Sequence, residues 1–259
     1  MPRLRGPFRL RLIREGCGIG LIIMQPSGRG YDHGVSTFSP DGRLYQVEYA
    51  RESVKRGTTT VGLKFKDGVI LIVDKRIANK LVITDSIEKM YQIDDHIGMT
   101  TSGLVADARQ LVDKARIQCQ INRMTYGSSI SMITLVKKMC DYKQSFTQYG
   151  GARPFGTALL IAGVDDEGAH LFETDPSGAY QSYHAGAIGR GRSTVIDSFE
   201  KSWKSGMTLN AAIKLGLEAL QESLEDSLNH DTVEISVVDA NGYKKLNRED
   251  TLKHLSKVS

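Results

Sequence analysis

Cysteine is scarce in this chain of 259 residues, which contains three: Cys17, Cys119 and Cys140. They form no close pair and none of the short spacings that bind zinc, so the sequence excludes a disulfide framework and a cysteine-based metal site. The six histidines are scattered and indicate no metal site either. Few and unpaired cysteines are typical of a reducing compartment. We therefore expect a cytoplasmic protein without a metal or another cofactor.

Long apolar runs are also missing. No stretch approaches the roughly 20 apolar residues that cross a bilayer, so we expect no membrane partner. Residues 1–23 loosely resemble a signal peptide, but their apolar part is short and no Ala-x-Ala cleavage site follows it. We interpret residues 1–30 as a flexible basic and polar extension, and residues 31–259 as a single domain.

A basic surface is absent from the main part of the chain. The formal net charge of +4 comes from five arginines and one glutamate in residues 1–23, and the remaining residues carry 29 basic and 29 acidic side chains. A protein that binds nucleic acid needs a concentration of Lys and Arg to neutralise phosphates. The sequence therefore argues against a nucleic-acid partner.

An amphipathic helix is predicted near the N-terminus of the domain. Pro40-Asp41-Gly42 forms a turn, and apolar residues then recur at helical spacing up to about Lys55. Lys55 and Arg56 complement the negative end of the helix dipole, and Gly57 is a natural stop signal.

The rest of the chain alternates between blocks of strands and pairs of helices. Hairpin turns are predicted at residues 66–68, 94–95 and 241–242, a strand at about 180–187, and a helix at 208–228. Hairpins outnumber the long crossovers of parallel sheets. The pattern therefore predicts an α+β protein with antiparallel sheets covered by helices.

The residues that follow Gly57 raise the possibility of catalysis. Thr58-Thr-Thr-Val-Gly62 resembles the mature start of proteasome β subunits, in which cleavage leaves a threonine nucleophile with its own amine as the base. Such a site also uses a lysine that lowers the pKa of the nucleophile and an acid that orients the lysine. Lys89 and Asp74 stand at the matching positions. The other interpretation is that Thr58–Thr60 are β-branched strand formers after a helix stop.

Two segments depart from the β pattern. The Gly-Ser-Gly turn of β subunits reads Gly189-Arg190-Gly191 here, which places a bulky cation where a small hydroxyl is wanted. The loop that should read Arg-Asp-x-x-Ser-Gly-Gly falls in residues 226–233, which contain no glycine pair. Both departures favour a site that does not catalyse peptide hydrolysis.

The segment before Thr58 decides the interpretation. Residues 38–54 (FSPDGRLYQVEYARESV) resemble, almost residue for residue, the N-terminal helix signature of proteasome α subunits, and the archaeal ones most closely. The resemblance covers roughly residues 31–255 and continues through residues 58–62, 74–75, 86–89, 101–107, 147–151, 153–156 and 175–178. It implies the four-layer α/β/β/α sandwich of the N-terminal-nucleophile hydrolase fold, with an extra N-terminal helix.

The resemblance also implies a function. Proteasome α subunits form a seven-membered ring, scaffold the assembly of the β rings of the 20S core, and lack peptidase activity. They gate the entry of unfolded protein substrate and dock the C-terminal tails of regulatory AAA ATPases. The alternatives are a catalytic β-type threonine peptidase released by cleavage at Gly57/Thr58, and a relative of this fold that assembles without degrading protein.

Three groups of site residues follow from the resemblance. The gate is implied at Tyr31, Asp32, Pro40 and Tyr49. His33 stands where the family usually has arginine, and we interpret it as a solvated loop residue.

An activator-binding pocket is implied at Lys89, Gly57, Leu44 and Arg43, where the lysine pairs with the C-terminal carboxylate of a partner and the glycine offers an open N–H. The narrow annulus of the entry channel is implied at Tyr149, Gly150, Gly151 and Ala152.

Overall fold

The computed structural model describes residues 34–75, 81–224, 228–229 and 231–256. Its helices are α1 (Tyr45–Arg56), α2 (Val105–Tyr126), α3 (Met132–Ser145), α4 (Arg192–Ser202), α5 (Leu209–Glu222) and α6 (Arg248–Leu255). Its strands are β1 (Thr60–Phe65), β2 (Gly68–Asp74), β3 (Met90–Asp94), β4 (Ile97–Gly103), β5 (Thr157–Asp165), β6 (Gly168–Thr174), β7 (Tyr180–Ser182), β8 (Ala185–Ile188), β9 (Val233–Asp239) and β10 (Gly242–Lys245).

The strands form two five-stranded sheets. The first has the order β10-β9-β2-β1-β8, and the second has the order β3-β4-β5-β6-β7. Every neighbouring pair is antiparallel. The hairpins predicted at residues 66–68, 94–95 and 241–242 are confirmed, since they join β1 to β2, β3 to β4 and β9 to β10.

The alternation of side chains along each strand produces three apolar layers. Val61, Leu63 and Phe65 of β1 pack on the layer that also holds Ile213 and Leu217 of α5. The opposite face of the first sheet packs against the second sheet, and the far face of the second sheet packs against α2 and α3. Because the first sheet is covered on both sides, β2 is buried along its whole length. The predicted α/β/β/α sandwich with an extra N-terminal helix is confirmed.

Two predicted elements differ from the structure. The single strand expected at about residues 180–187 is wrong, because β7 pairs with β6 in the second sheet whereas β8 pairs with β1 in the first. Apolar alternation is the same in either sheet, so periodicity cannot show where a chain crosses between them. The helix predicted to reach Leu228 ends at Glu222. Leu224 and Leu228 lie beyond it but still pack on the first core layer, so their apolar spacing in the sequence looked like a continuation of the helix.

Among the described residues, no helix is both long and apolar enough to cross a bilayer.

A buried lysine connects α3 to the second sheet. Lys143 is fully buried, and its ammonium donates to the carbonyl of Thr157 at 3.1 Å and to the hydroxyl of Thr174 at 2.9 Å. Burial disfavours the charged form and lowers the pKa of Lys143 to about 8, although Cys140, Asp175 and Glu173 act in the opposite direction.

This lysine predicts a rise of stability with pH. Between its folded pKa of about 8 and an unfolded pKa of about 10.4, the unfolded chain binds a proton that the native chain has released. The free energy of unfolding should therefore increase with pH across that window, by about 1–3 kcal/mol.

Urea unfolding at pH 7.5, 8.5 and 9.5 measures this rise, and Lys143→Met should remove it. Lys137→Met on the exposed side of the same helix is the matched control and should keep the rise. Equal slopes in the wild-type chain and in Lys143→Met would refute the assignment.

Candidate functional site

Helix α1 is docked on the second sheet by packing and by one ion pair. It lies against β4 and β5, and its Val47 and Ala50 are buried. The guanidinium of Arg51 donates to the Asp175 carboxylate at 2.6 and 2.9 Å. Burial alone would raise the pKa of Asp175, but the hydrogen bonds from Ser177 and Arg51 outweigh it, so the pKa lies below its usual value. The helix is therefore a fixed part of the fold.

The junction after α1 is closely packed. A Cβ on Gly57 would lie 2.2 Å from the hydroxyl oxygen of Ser102 and 2.6 Å from the backbone nitrogen of Gly103, so only glycine fits. The Gly57 N–H donates to the carbonyl of Val54 at 3.0 Å, and its carbonyl accepts from the N–H of Arg190 at 3.0 Å. The expectation of an open N–H at Gly57 is therefore wrong: the end of the helix uses it.

Thr58, Asp74 and Lys89 meet at one end of the sandwich. Thr58 lies just before β1, Asp74 ends β2, and Lys89 directly precedes β3. The Thr58 hydroxyl donates to the backbone carbonyl of Asp74 at 2.5 Å and accepts a hydrogen bond from the ammonium of Lys89. The structure thus brings together the three residues that the sequence singled out as a possible nucleophile, acid and lysine.

The charges around Lys89 are mixed. Partial burial of its side chain lowers the pKa of Lys89. The carboxylate of Asp74 opposes this effect, and the neighbouring cation Lys75 adds to it. Lys75 itself is buried and forms an ion pair with Glu234.

The loop after β8 contacts the same junction through its backbone. Gly189 has a φ of +98°, and a Cβ there would lie 2.4 Å from the carbonyl oxygen of Thr58. The N–H of Gly191 donates to the hydroxyl of Thr59 at 3.0 Å. Arg190, which the sequence places at the position of a small hydroxyl, is exposed.

Comparison with known families identifies this arrangement. The family model described as "Proteasome subunit" matches residues 54–238, and the model for the N-terminal signature of A-type proteasome subunits matches residues 31–52. The chain belongs to the proteasome α-subunit family. This signature covers the first part of α1. It overlaps residues 38–54, whose resemblance to α subunits favoured the α-type interpretation over the β-type one.

Archaeal relatives support the assignment along most of the chain. The chain is 55% identical to the proteasome alpha subunit of Methanosarcina thermophila over 231 residues, which cover 88% of this chain and 94% of that protein. It is 56% identical to the proteasome alpha subunit of Methanopyrus kandleri over 228 residues, 88% and 93% of the two chains. That of Methanothermobacter thermautotrophicus is 53% identical over 238 residues, 91% and 96%.

The pocket residues expected in this α-type chain fall into two groups. Gly57 and Lys89 lie on either side of Thr58, at the C-terminal end of α1. Arg43, which is exposed, and Leu44, which is half-buried, lie at the other end of the same helix. A rise of about 1.5 Å per helical residue separates Leu44 from Gly57 by roughly 20 Å. One carboxylate cannot contact both groups within a single subunit.

The gate residues are described only in part. Pro40 is exposed in a turn closed by Ser39, whose hydroxyl accepts from the N–H of Arg43 at 3.1 Å. Tyr49 is about half exposed, and its ring stacks on Tyr45 with centroids 6.3 Å apart. Tyr31, Asp32 and His33 lie outside the described residues.

The four annulus residues form a turn after α3, which is exposed at Tyr149, Gly150 and Gly151 and half-buried at Ala152. Tyr149 is 69% exposed, and a side chain on Gly150 or Gly151 would meet no atom within 4 Å. The turn is anchored on both sides. The rings of Phe146 and Phe155 pack 4.7 Å apart.

An ion pair secures the same turn on its C-terminal side. The Asp107 carboxylate accepts from the Arg153 guanidinium at 2.6 and 2.8 Å and from the N–H of Gly156 at 2.8 Å. These bonds outweigh the effect of burial, which alone would raise the pKa of Asp107, and hold it below its usual value. The small residues of the turn therefore project from a firmly held base.

Sequence reasoning missed two contacts of this region. The Arg51–Asp175 pair joins residues that are 124 positions apart, and nothing in the local pattern connects them. Ser102 places its hydroxyl 3.2 Å from the carbonyls of both Val54 and Thr58, and so links the helix end to the first strand. These residues fell in segments that resembled α subunits, and only three-dimensional positions show what they contact.

Proposed function

We propose that this chain is a non-catalytic α-ring subunit of the 20S proteasome core. In this role it gates substrate entry, scaffolds the assembly of the β rings and docks regulatory ATPases. The observation that supports this best is the packing of α1 and Gly57 against the body of the domain. A helix that is packed into the fold in this way supports an α-type subunit over a chain with a removable propeptide.

The same observation supports the proposal that this chain does not catalyse peptide hydrolysis. With Gly57 attached, the nitrogen of Thr58 belongs to a peptide bond and cannot act as a base. The hydroxyl proton of Thr58 is directed at the Asp74 carbonyl. Without a base to take that proton, the threonine has no route to a nucleophile, although a lysine stands beside it.

Cleavage after Gly57 would also be costly. It would detach the helix from the domain, expose the surface under Val47 and Ala50, and remove the ion pair of Arg51 with Asp175. Losing apolar contacts and losing a charged hydrogen bond both destabilise a fold. The β-type alternative therefore conflicts with the stability of the domain.

We infer the partners from the family. They are six further α subunits in a ring, the β subunits, the C-terminal tails of a regulatory AAA ATPase, and unfolded protein in transit. The domain would span residues 31–259, behind a basic and polar extension at 1–30, and the particle would work in the cytoplasm.

The pocket and the annulus also have roles in this proposal. Lys89 of one subunit would receive the carboxylate of an ATPase tail, and Gly57 would shape the backbone beside it without donating a hydrogen bond to the tail. Arg43 and Leu44 lie roughly 20 Å away along α1, so they would come from the adjacent copy or meet an earlier part of the tail. Tyr149, Gly150, Gly151 and Ala152 would line the entry channel, and Tyr31, Asp32, Pro40 and Tyr49 would hold the gate.

Peptide hydrolysis by the assembled core tests the function. The purified chain alone should cleave no fluorogenic peptide, and co-assembly with proteasome β subunits should produce activity. Removal of residues 1–35 should increase the rate of the assembled core several-fold, because the arm blocks the entry.

A deletion of residues 1–23 is the matched control, since it removes the basic extension but keeps the arm next to the domain. It should change the rate less than the longer deletion. Cleavage by the chain alone would overturn the non-catalytic assignment. An unchanged rate of peptide hydrolysis after the deletion of residues 1–35 would overturn the assignment of a gate to this arm.

Substitution of Lys89 tests the pocket. Lys89→Ala should weaken binding of an ATPase tail peptide by roughly 10- to 100-fold, which corresponds to about 1.5–3 kcal/mol for a hydrogen bond to a charged group. Fluorescence anisotropy with the co-assembled particle measures this. Lys55→Ala is the control, because Lys55 is exposed and forms its ion pair within α1, with Glu52. Equal binding by the two variants would refute the pocket.

A further inference from the structure

The contacts of Thr58 have a fixed direction. A hydroxyl has one hydrogen to donate and can accept further bonds, an ammonium can only donate, and a backbone carbonyl can only accept. Thr58 lies between a carbonyl, that of Asp74, and an ammonium, that of Lys89. Its hydrogen must therefore point to Asp74, and its lone pair must face Lys89.

The carbonyl at the start of this chain of bonds is rigid. Asp74 is the last residue of β2 and is paired with Val233 of β9 in the sheet. Its N–H donates to the carbonyl of Thr59 at 3.1 Å. The sheet therefore fixes the carbonyl, the carbonyl fixes the hydroxyl, and the hydroxyl fixes the end of a long and otherwise flexible lysine side chain.

Without this contact the lysine would be poorly placed. A lysine side chain loses up to about 2 kcal/mol of conformational entropy when it is held in one position. A contact that orders it beforehand reduces the cost of ordering it when a ligand binds. The bond to Thr58 uses one of the three N–H donors of the ammonium, and no second acceptor for it is found among the described residues, so two donors are available to a ligand there.

The surroundings of Lys89 disfavour its protonated form, and the hydrogen bond to Thr58 opposes that effect. Partial burial and Lys75 lower the pKa of Lys89, and Asp74 counters them. A hydrogen bond accepted from the ammonium also favours the charged form. Removing the hydroxyl should therefore lower this pKa further, and the lysine would become neutral at a lower pH.

We propose that Thr58 is a positioning residue for the partner's carboxylate: its hydroxyl, held by the Asp74 carbonyl, orders the ammonium of Lys89 for an incoming C-terminal carboxylate. This inference rests on the proposed function, in which Lys89 receives the tail of an ATPase. In this proposal Thr58, which resembles a nucleophile, orients Lys89, and Lys89 binds the carboxylate of the partner.

Binding of a tail peptide to variants of Thr58 tests the inference. The probe is a synthetic peptide with the last eight residues of the regulatory ATPase from the same organism, made with a free C-terminal carboxylate and as the C-terminal amide. Its affinity for the co-assembled particle is measured between pH 6 and pH 10. Thr58→Val keeps the shape and loses the hydroxyl, whereas Thr58→Ser keeps the hydroxyl.

Thr58→Val should weaken binding of the carboxylate peptide by about 3- to 10-fold at pH 7, in line with about 0.5–1.5 kcal/mol for one hydrogen bond. The pH at which binding is lost should also fall, because the affinity needs a protonated lysine. Thr58→Ser should bind within about twofold of the wild type, or about 0.4 kcal/mol, because it keeps the hydroxyl. The amide peptide should bind all variants equally weakly.

The possible results distinguish the pocket from the positioning role. If Lys89→Ala binds normally, or if carboxylate and amide peptides bind the wild type equally, the pocket itself is wrong. If Lys89 is required but Thr58→Val binds as tightly as wild type, or more tightly, with the same pH limit, the positioning role is wrong. Should Thr58→Val fail to assemble, Thr58→Ala replaces it and is judged by the same two results.

Discussion

The close packing around Gly57 is the constraint on which the rest of this structure depends. No side chain fits there, because Ser102 and Gly103 of the neighbouring strand approach the backbone directly. The carbonyl of Gly57 accepts from Arg190, and its N–H closes the last turn of α1. One glycine thus joins the helix, the second sheet and the loop after β8. Any rearrangement that released the helix would have to break all three connections.

The geometry next to this glycine resembles that of a threonine nucleophile. Thr58 and Lys89 are in contact, and Asp74 supplies the carbonyl that orients them. In a chain with a free amine at the threonine, such an arrangement would support attack on a peptide bond. Here the peptide bond from Gly57 removes the base. We propose that the Lys89 ammonium, held in place by Thr58, instead binds the C-terminal carboxylate of a partner.

Much of the fold could be predicted because the local signals of the sequence agree with one another. Hairpin turns at residues 66–68 and 241–242, the helix stop at Gly57 and the alternation along β1 each follow from a few neighbouring residues. The crossing between sheets at residues 183–184 did not follow, since its partners lie far away in the chain. The engaged N–H of Gly57 and the separation of Arg43 and Leu44 from Lys89 likewise needed three-dimensional positions.

Helix α1 must stay joined to Thr58 in the working particle for this chain to act as proposed. Intact mass spectrometry of the chain recovered from the particle co-assembled with β subunits tests this most directly. We predict a species whose mass includes residues 45–57, whatever trimming occurs before the helix. A species that begins at Thr58 would contradict the account, because it would free the amine of that threonine and remove the helix that defines the α-type fold.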